Sequence, residues 1–322
     1  MRHISLDAVE DAARHVYKAA IRTPLVKLDL PFGDGPTPEI YLKLESLQPI
    51  GSFKIRGAWN AVRKLTPEQM KDGVWTVSAG NAAQGVAFAA RVAGVPCSVM
   101  VMDTAPQTKL RSIERLGATI VRATYDECWK TVESHASSRM QGHFVHPFDD
   151  DDFIAGNATA GLEILEQLPD VDTVVAALGG GGLLSGIAAV MRAKKPGVKV
   201  FAAEPETAAP LDLSLSRGEP CYFDAWKPSF VDGAGGKSVL KTMWPLLKDL
   251  NGSIVMPLGE IAAAMRKAAD RVHVVAEGAG GTAIAAALSG RAGTGKIVAV
   301  VSGGNIDLSR FAELVGSAQT AP

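Results

Sequence analysis

The chain has 322 residues, of which 47% are hydrophobic and 21% are charged, and its formal net charge is −1. This composition is that of a folded globular protein, and the length suits two lobes or one large α/β domain. A nearly neutral chain creates no long-range field that would attract nucleic acid or an anionic membrane. We therefore expect a small-molecule partner, no nucleic acid and no membrane.

The first residues of the chain and the spacing of its cysteines bear on the location of the protein and on the state of its thiols. The first 20 residues carry acidic groups where a signal peptide needs an apolar run, and we expect a cytoplasmic protein. The three cysteines, Cys97, Cys128 and Cys221, are widely spaced and odd in number. This pattern favours buried thiols over a disulfide framework or a zinc site.

Short apolar runs rich in β-branched residues alternate with alanine-rich helical patterns along the chain. Such alternation predicts the α/β class, with a mainly parallel sheet covered by helices on both faces. The predicted strands are residues 74–77, 98–102, 119–122, 173–177, 198–203 and 297–301. The predicted helices are residues 83–93, 106–116, 155–167, 184–193 and 258–271.

The acidic segment 149–152 separates two strand–helix series and marks one crossing between domains. We predict a large domain formed by residues 1–72 and 150–322 and a small domain formed by residues 73–149. The proline- and glycine-bearing segment 205–236 is predicted to be irregular. Long irregular segments in compact enzymes are more often functional than idle, so part of it is expected to cover a site.

Lys54 stands between Phe53 and Ile55 in the segment SFKIRGA. If these neighbours desolvate it, the pKa of its ammonium falls and the amine becomes nucleophilic toward an aldehyde. From these residues alone, a solvated surface lysine is the alternative.

The segment SAGNAAQG begins at Ser78, follows a predicted strand and opens a helix. Its main-chain N–H groups suit a carboxylate ligand, because the first N–H groups of a helix have no partner within it. Alternatively, Ser78 acts only as the helix N-cap.

Four consecutive glycines follow the predicted strand 173–177 and open a helix: Gly179, Gly180, Gly181 and Gly182. Bare N–H groups at the positive end of a helix dipole bind an anion without any basic side chain. A tight turn alone would need only one or two glycines. The run therefore favours a phosphate site.

Three other glycine-containing segments lead to predictions other than a phosphate site. Residues 290–297 resemble a P-loop but have isoleucine where magnesium binding needs serine or threonine, and a strand follows them instead of preceding them. Residues 278–283 resemble a dinucleotide fingerprint, but we predict a close helix–strand packing turn there. Ser302 begins the segment SGGN after a predicted strand, where open α/β sheets bind ligands.

In this order, YLKLE, SFKIRGA, SAGNAAQG, GGGGLLSG and SGGN resemble the threonine dehydratase and serine racemase family of fold-type II pyridoxal-phosphate enzymes. The resemblance covers nearly the whole catalytic chain. It implies a tryptophan synthase β-like fold with two open twisted sheets flanked by helices. It also implies pyridoxal 5′-phosphate as cofactor and a homodimer.

The resemblance also implies roles for particular residues. Lys54 would form a Schiff base with the cofactor, and Phe53 would lie against the cofactor ring. Asn81 would bind the ring hydroxyl, and Ser302 would face the pyridine nitrogen. The residues implied for the phosphate are Gly179, Gly180, Gly181, Gly182 and Leu183. Those implied for the substrate are Ser78, Ala79, Gly80, Asn81 and Ala82.

The implied reaction is the elimination of water from a 3-hydroxy amino acid such as L-threonine or L-serine, giving a 2-oxo acid and ammonia. Ser302 is neutral, and a weaker electron sink than an aspartate would provide favours quick elimination. Lys54 would take the Cα proton. A rival from another class is an anion-binding protein without chemistry, which would have no use for a buried amine at Lys54.

Some positions depart from the family pattern. Racemases of the family carry a serine at the position of Ala79, so dehydration is favoured over racemisation. Ala82 replaces the usual histidine, and Asn157 and Ala158 replace glutamine and glycine. These changes leave open a racemase or a lyase for a bulkier substrate, such as hydroxyaspartate, phenylserine or an amino acid derived from hydroxyectoine.

Further polar residues have weaker signals. Glu204 and the carbonyl of Ala208 match the metal ligands of metal-activated relatives, but Pro210 replaces the second acidic ligand. We predict no metal, and Glu204 is equally consistent with an ordinary carboxylate at a strand end. His146 is predicted to lie in a turn without a catalytic role. Glu277 is expected near the edge of the cofactor, with no role assigned.

Overall fold

Ten strands form two separate sheets in the computed structural model, which describes residues 2–29 and 38–317. The strands are β1 (Leu25–Lys27), β2 (Glu39–Lys43), β3 (Val74–Val77), β4 (Cys97–Met102), β5 (Thr119–Ala123), β6 (His143–Phe144), β7 (Thr173–Ala177), β8 (Lys199–Pro205), β9 (Ser253–Met256) and β10 (Lys296–Val300).

Helices cover the faces of both sheets. They are α1 (Leu6–His15), α2 (Lys54–Arg63), α3 (Pro67–Met70), α4 (Asn81–Ala93), α5 (Gln107–Glu114), α6 (Tyr125–Ser134), α7 (Asp151–Gln167), α8 (Gly182–Lys194), α9 (Pro210–Arg217), α10 (Trp244–Leu247), α11 (Leu258–Val272), α12 (Gly278–Leu288) and α13 (Leu308–Ser317). Short 3-10 helices lie at Val16–Lys18, Glu45–Leu47 and Asp232–Ala234.

The larger sheet has the strand order β1-β2-β10-β7-β8-β9, and only the β1–β2 pair is antiparallel. Every residue of β7 is buried. This is expected of a central parallel strand, because α7 and α8 pack on one face of the sheet and α11 and α12 on the other. The carboxyl ends of β7 and β10 therefore open side by side at one edge.

The smaller sheet has the strand order β5-β4-β3-β6, and all of its pairs are parallel. Its strands lie within the predicted small domain, residues 73–149. One of its two cores, however, also contains side chains of α2, such as Ile55 and Trp59. Helix α2 thus packs against the smaller sheet from outside that range, and the exact domain division stays a prediction.

All predicted strands are present, with ends that differ by at most two residues from the predicted ends. The predicted helices are also confirmed, although α7 begins four residues earlier, at Asp151. The side chain of Asp150 caps this helix by accepting a hydrogen bond of 2.7 Å from the main-chain N–H of Phe153. The acidic segment 149–152 therefore starts a helix at the crossing between the two sheets.

Two local predictions were wrong. Residues 278–283 form the first turns of α12 instead of a packing turn, and no strand precedes them. Helix packing overrides the low helix propensity of glycine here, because a Cβ at Gly281 would lie 2.4 Å from Cγ of Met265 in α11. The segment 205–236 is only partly irregular, since it contains α9 and a 3-10 helix.

The expectation for the cysteines is confirmed, because Cys97, Cys128 and Cys221 are all buried and free. Burial raises the pKa of Cys97 to about 12, so this thiol stays protonated. Within residues 2–29 and 38–317, no helix combines the length and the apolar character needed to cross a bilayer.

Candidate active site

Lys54 is the first residue of α2, a helix that packs against α4 and α7. Its Nζ donates a hydrogen bond of 2.7 Å to the main-chain oxygen of Pro147. The same atom lies 5.3 Å from the ring centroid of Phe53 and 5.4 Å from that of Phe153. The amine is therefore held by one carbonyl and covered by apolar rings, and it is not a solvated surface charge.

Burial lowers the pKa of Lys54 from 10.5 to about 8, while the nearby carboxyl of Glu277 raises it by a smaller amount. A larger fraction of this amine is neutral near pH 7 than for an ordinary lysine. The neutral amine is the form that attacks an aldehyde or accepts a proton.

The segment Pro147–Phe148 joins Lys54 to the glycine run. The carbonyl of Pro147 accepts the bond from Lys54, and the ring of Phe148 lies directly against Gly180. A Cβ at Gly180 would stand 2.0 Å from Cγ of Phe148, which leaves room for glycine only. Two motifs that lie more than a hundred residues apart in the sequence thus meet through one short segment.

The glycine run follows β7 and ends at the first turn of α8. Gly181 has φ +90° and directly precedes this helix, a conformation that a residue with a Cβ rarely adopts. A Cβ at Gly179 would lie 2.7 Å from the main-chain oxygen of Gly233. The backbone therefore presents bare N–H groups, including that of Leu183, at the positive end of a helix of 13 residues.

Asn157 adds an unused donor beside this turn. Its side chain is fully buried, and its Oδ1 accepts a hydrogen bond of 3.1 Å from the main-chain N–H of Gly57 in α2. Its Nδ2 has no partner among the described residues and lies 3.5 Å from where a Cβ of Gly182 would stand. A buried amide without a partner is costly, so this atom indicates a ligand next to the turn.

Ser302 follows β10 and is 4% exposed. Its main-chain oxygen accepts a hydrogen bond of 3.0 Å from the main-chain N–H of Phe53, and Gly303 forms a bridge with Ser52. The SGGN segment is thus placed against the start of α2, beside the lysine.

The loop from Ser78 to Ala82 joins β3 to α4. The Oγ of Ser78 accepts a hydrogen bond of 3.1 Å from the main-chain N–H of Gly80, so it closes the loop without capping the second or third residue of α4. Ala79 is half-buried and Ala82 is buried. Neither alanine offers a polar group, and the main chain is what the loop presents.

Asn81, the first residue of α4, forms a polar cluster with Glu277 and Asn305. Its Nδ2 donates a hydrogen bond of 2.7 Å to Oε1 of Glu277, and its Oδ1 accepts one of 2.7 Å from Nδ2 of Asn305. Burial and the charge of Asp232 raise the pKa of Glu277 from 4.5 to about 8, against a smaller lowering by Asn81. Glu277 is therefore mostly protonated at pH 7.

Glu204 and Ala208 lie outside this site, near α9. The Glu204 oxygens accept hydrogen bonds of 2.9 Å and 2.8 Å from the main-chain N–H groups of Leu211 and Asp212, and the hydroxyl of Ser253 donates a third. Burial raises the pKa of Glu204 to about 7. The carboxyl group thus accepts hydrogen bonds from main-chain N–H groups in the first turn of α9, which have no partner within the helix.

His146 uses both of its ring nitrogens within the fold. Its Nε2 pairs with the main-chain oxygen of Val132, and its Nδ1 accepts hydrogen bonds from the N–H groups of Phe148 and Asp149. Burial and the neighbouring His135 lower its pKa to about 4, so the ring is neutral. His146 therefore shapes the turn that carries Pro147, which agrees with the predicted turn.

The sequence profile of the family "Pyridoxal-phosphate dependent enzyme" matches residues 16–303. The chain belongs to this family. Pyridoxal phosphate is its cofactor, and the residues described above fit that group. The glycine turn presents main-chain N–H groups at the start of α8, Asn157 leaves a buried donor beside it, and Lys54 supplies a partly neutral amine.

Relatives of this pyridoxal-phosphate enzyme match it over nearly its whole length. An L-threonine ammonia-lyase from Thermotoga maritima is 38% identical over 316 residues, which are 97% of this chain and 78% of the relative. A serine racemase from Dictyostelium discoideum is 33% identical over 326 residues, which are 98% and 99% of the two chains. The structure of maize serine racemase superposes with a TM-score of 0.86 at 29% identity and covers 97% of both chains.

These matches confirm the predicted family and the predicted fold of fold-type II pyridoxal-phosphate enzymes. The sequence did not point to Pro147, Phe148 or Asn305, and it left Glu277 without a role. Asn305 had a usable signal, because it is a polar residue directly after two glycines at a strand end. Pro147 had none, since it acts through a main-chain carbonyl that every residue carries.

Proposed function

We propose that this enzyme eliminates water from a small 3-hydroxy amino acid, such as L-threonine or L-serine, to give a 2-oxo acid and ammonia. The observation that carries the proposal is the partly neutral amine of Lys54, held beside a glycine turn by Pro147 and Phe148. Similarity to an L-threonine ammonia-lyase over 97% of the chain supports it.

Bound pyridoxal phosphate withdraws electrons from the Cα of an attached amino acid. Lys54 holds the cofactor aldehyde in the resting enzyme, and as a free amine it takes the Cα proton of the substrate. Its lowered pKa, about 8, suits an amine that must exchange a proton near neutral pH. Phe53 and Phe153 keep water away from this amine.

The remaining residues bind and orient the cofactor and the substrate. Main-chain N–H groups at Gly179, Gly180, Gly181, Gly182 and Leu183 bind the phosphate at the start of α8. With the cofactor bound, Asn81 would bind the ring hydroxyl, and the hydroxyl of Ser302 would face the pyridine nitrogen. The substrate carboxylate binds the main chain of the loop formed by Ser78, Ala79, Gly80, Asn81 and Ala82, because these N–H groups open α4.

Ala79 supports dehydration over racemisation, because racemisation needs a proton donor on the face opposite Lys54 and a methyl group donates none. We expect purified holoenzyme to release equal amounts of oxo acid and ammonia from L-threonine or L-serine. The assay is a panel of 3-hydroxy amino acids that includes 3-hydroxyaspartate and phenylserine. Formation of D-amino acid without ammonia would overturn the proposal.

A lyase for a bulkier substrate is the second proposal, and the small buried side chain of Ala82 at the start of α4 supports it. The same panel separates the two, because a bulky substrate would then show a higher kcat/KM than L-threonine. Replacing Ala82 with histidine should lower that kcat/KM more than it lowers the value for L-threonine. Equal losses for both substrates would rule out the second proposal.

We also propose that no divalent cation acts at Glu204. The two oxygens of this carboxyl group already accept three hydrogen bonds from the protein, and a cation would have to displace some of them. The expected result is that a chelator leaves kcat and KM unchanged. A loss of activity that magnesium or calcium restores, and that Glu204→Gln abolishes, would overturn this point.

We also propose that the enzyme is a homodimer in the cytoplasm. The exposed side chains of Ile21 and Leu47 lie on adjacent segments, because Gln48 forms hydrogen bonds with both main-chain polar groups of Ile21. A patch of this kind supports burial between two copies. Light scattering should give twice the mass of 33.7 kDa, and Ile21→Glu together with Leu47→Glu should give the single mass.

A further inference from the structure

Asn81 has an amide whose two ends could be exchanged by a half-turn of the side chain. Only the nitrogen end donates, so only one orientation of the amide can bind the ring hydroxyl oxygen of a cofactor as a donor. The assignment of amide ends must come from the hydrogen-bond partners. The partners of Asn81 are Glu277 and Asn305, which are contributed by the N-terminus of α12 and by the end of the SGGN segment.

The orientation is anchored at a group that cannot be exchanged. The Nδ2 of Asn305 donates a hydrogen bond of 2.8 Å to the main-chain oxygen of Ile50, and this oxygen can only accept. The second hydrogen of the same nitrogen goes to Oδ1 of Asn81 at 2.7 Å. The oxygen end of the Asn81 amide must therefore face Asn305.

The nitrogen end of the Asn81 amide faces Glu277. The Nδ2 of Asn81 donates to Oε1 of Glu277 at 2.7 Å, which uses one of its two hydrogens. Within residues 2–29 and 38–317, this nitrogen donates no second hydrogen bond. One N–H of Asn81 is thus kept free, in a fixed direction, by two residues that are more than 190 positions away in the sequence.

Gly51 and Gly303 make this arrangement sterically feasible. A Cβ at Gly303 would lie 2.5 Å from Oε1 of Glu277 and 3.1 Å from Nδ2 of Asn81. A Cβ at Gly51 would lie 2.5 Å from Oδ1 of Asn305, and Gly51 also has φ +73°. The first glycine of SGGN is therefore required by the contact between Asn81 and Glu277.

We propose that Asn305 and Glu277 are positioning residues that orient the Asn81 amide, so that its free N–H donates to the ring hydroxyl of pyridoxal phosphate. Neither residue needs to touch the substrate. The inference rests on the proposed role of Asn81, and the experiment below separates a failure of that role from a failure of the positioning.

The decisive substitution is Asn305→Asp. A carboxylate cannot donate to Oδ1 of Asn81, and it attracts the nitrogen end instead, so the amide turns around and the free N–H is lost. The cofactor is removed, and the full-length protein is titrated with pyridoxal phosphate and with its 3-deoxy analogue, which lacks the ring hydroxyl. Quenching of tryptophan fluorescence reports the dissociation constants of both ligands.

We expect Asn305→Asp to weaken the binding of pyridoxal phosphate about tenfold while changing the binding of the 3-deoxy analogue less than twofold. Asn81→Ala should show the same selective loss. Glu277→Gln keeps an acceptor for Asn81 and should retain the affinity for both ligands, whereas Glu277→Ala should lose affinity for the natural cofactor only. The exposed Asn251→Asp is the matched control and should bind both ligands like the unmodified protein.

Each other outcome contradicts a defined part of the inference. If Asn81→Ala weakens both ligands equally, Asn81 does not bind the ring hydroxyl and the inference fails with it. If Asn81→Ala is selective but Asn305→Asp is not, the positioning alone is wrong. Should Asn305→Asp not fold, Asn305→Ala removes the same donor without adding a charge, and an unselective result for that variant overturns the proposal.

Discussion

Helix α2 carries two cationic side chains in its first turn that lie in opposite electrostatic surroundings. Arg56 is fully buried, and all five of its N–H groups have acceptors, since they bind Glu45, Glu163, Thr159 and the main-chain oxygen of Ile21. Lys54, two residues earlier, has one acceptor among the described residues, the carbonyl of Pro147.

The cluster around Arg56 balances its charges. Lys43 joins it and uses all three ammonium hydrogens, on Glu163, Gln167 and the main-chain oxygen of Thr23. Burial would raise the pKa of Glu163, but Arg56 and Lys43 outweigh that effect and hold the pKa below 4.5. Glu163 thus forms buried ion pairs with both Arg56 and Lys43, and Arg56 also pairs with Glu45, although burial lowers the pKa of Lys43.

The surroundings of Lys54 have the opposite effect, because they favour the neutral forms of the ionisable groups. Burial dominates for both ionisable groups, so the pKa of Lys54 falls to about 8 and that of Glu277 rises to about 8. Complete pairing fixes charge and geometry, whereas incomplete pairing favours neutral forms that can react. We therefore expect the first cluster to stabilise α2 and the second to support the reactivity proposed for Lys54.

The largest expected difference concerns the two lysines. Lys54→Ala should lower kcat at least about 1000-fold, because it removes both the covalent attachment and the base, and the visible absorption of the attached cofactor should disappear. Its thermal unfolding should stay close to that of the unmodified cofactor-free protein. Lys43→Met is the comparison and should instead destabilise the fold. Retained cofactor absorption in Lys54→Ala would contradict the assignment.

A matched pair of carboxylate substitutions tests the comparison next. Glu163→Gln leaves Arg56 and Lys43 with one fewer negative charge between them and should lower the free energy of unfolding by about 3–5 kcal/mol. Glu277→Gln should not lower it at pH 7, because the folded chain must keep a proton on Glu277 that the unfolded chain releases, and the neutral amide avoids that cost. Urea denaturation of the cofactor-free proteins measures both values. Similar losses for the two variants would show that the clusters do not differ in this way.

The pH dependence of stability should have opposite signs at the two carboxylates. Between pH 4.5 and 8 the folded chain keeps a proton on Glu277 that the unfolded chain releases, so the contribution of Glu277 to the free energy of unfolding falls as pH rises. The lowered pKa of Glu163 has the opposite effect, because its contribution is present above pH 4.5 and is lost at lower pH.

The measurement is the difference in stability between the unmodified protein and each glutamine variant from pH 4 to pH 8. For Glu277→Gln this difference should decline steadily above pH 4.5, and for Glu163→Gln it should be flat there. A flat profile for Glu277→Gln would mean that its carboxyl group is ionised in the folded protein.

The smallest effect is expected at the edge of the balanced cluster. The hydroxyl of Tyr17 donates a hydrogen bond of 2.8 Å to Oε1 of Glu163 from a residue that is 45% exposed. Tyr17→Phe should therefore cost only about 1 kcal/mol in urea denaturation. The exposed Tyr222→Phe is the control, and an equal effect there would indicate that the bond to Glu163 contributes nothing.

Much of the fold could be read from the sequence, because its signals are local. The apolar runs at β3, β7 and β10 predicted parallel strands, since a strand buried on both faces is apolar at most of its positions. Local patterns failed where packing decided instead. The glycines at the start of α12 look like a turn, yet the close approach of Met265 makes them part of a helix.

The sequence by itself determined the family and the cofactor and predicted Lys54 as the reactive residue, because five short motifs occur in a fixed order. Only the tertiary structure decided the state of that lysine and the orientation of Asn81. Pro147, Glu277 and Asn305 reach them from segments 93 to 224 residues away. Burial and hydrogen-bond partners are properties of the folded chain, so no local pattern could have shown which charges are paired and which are left to react.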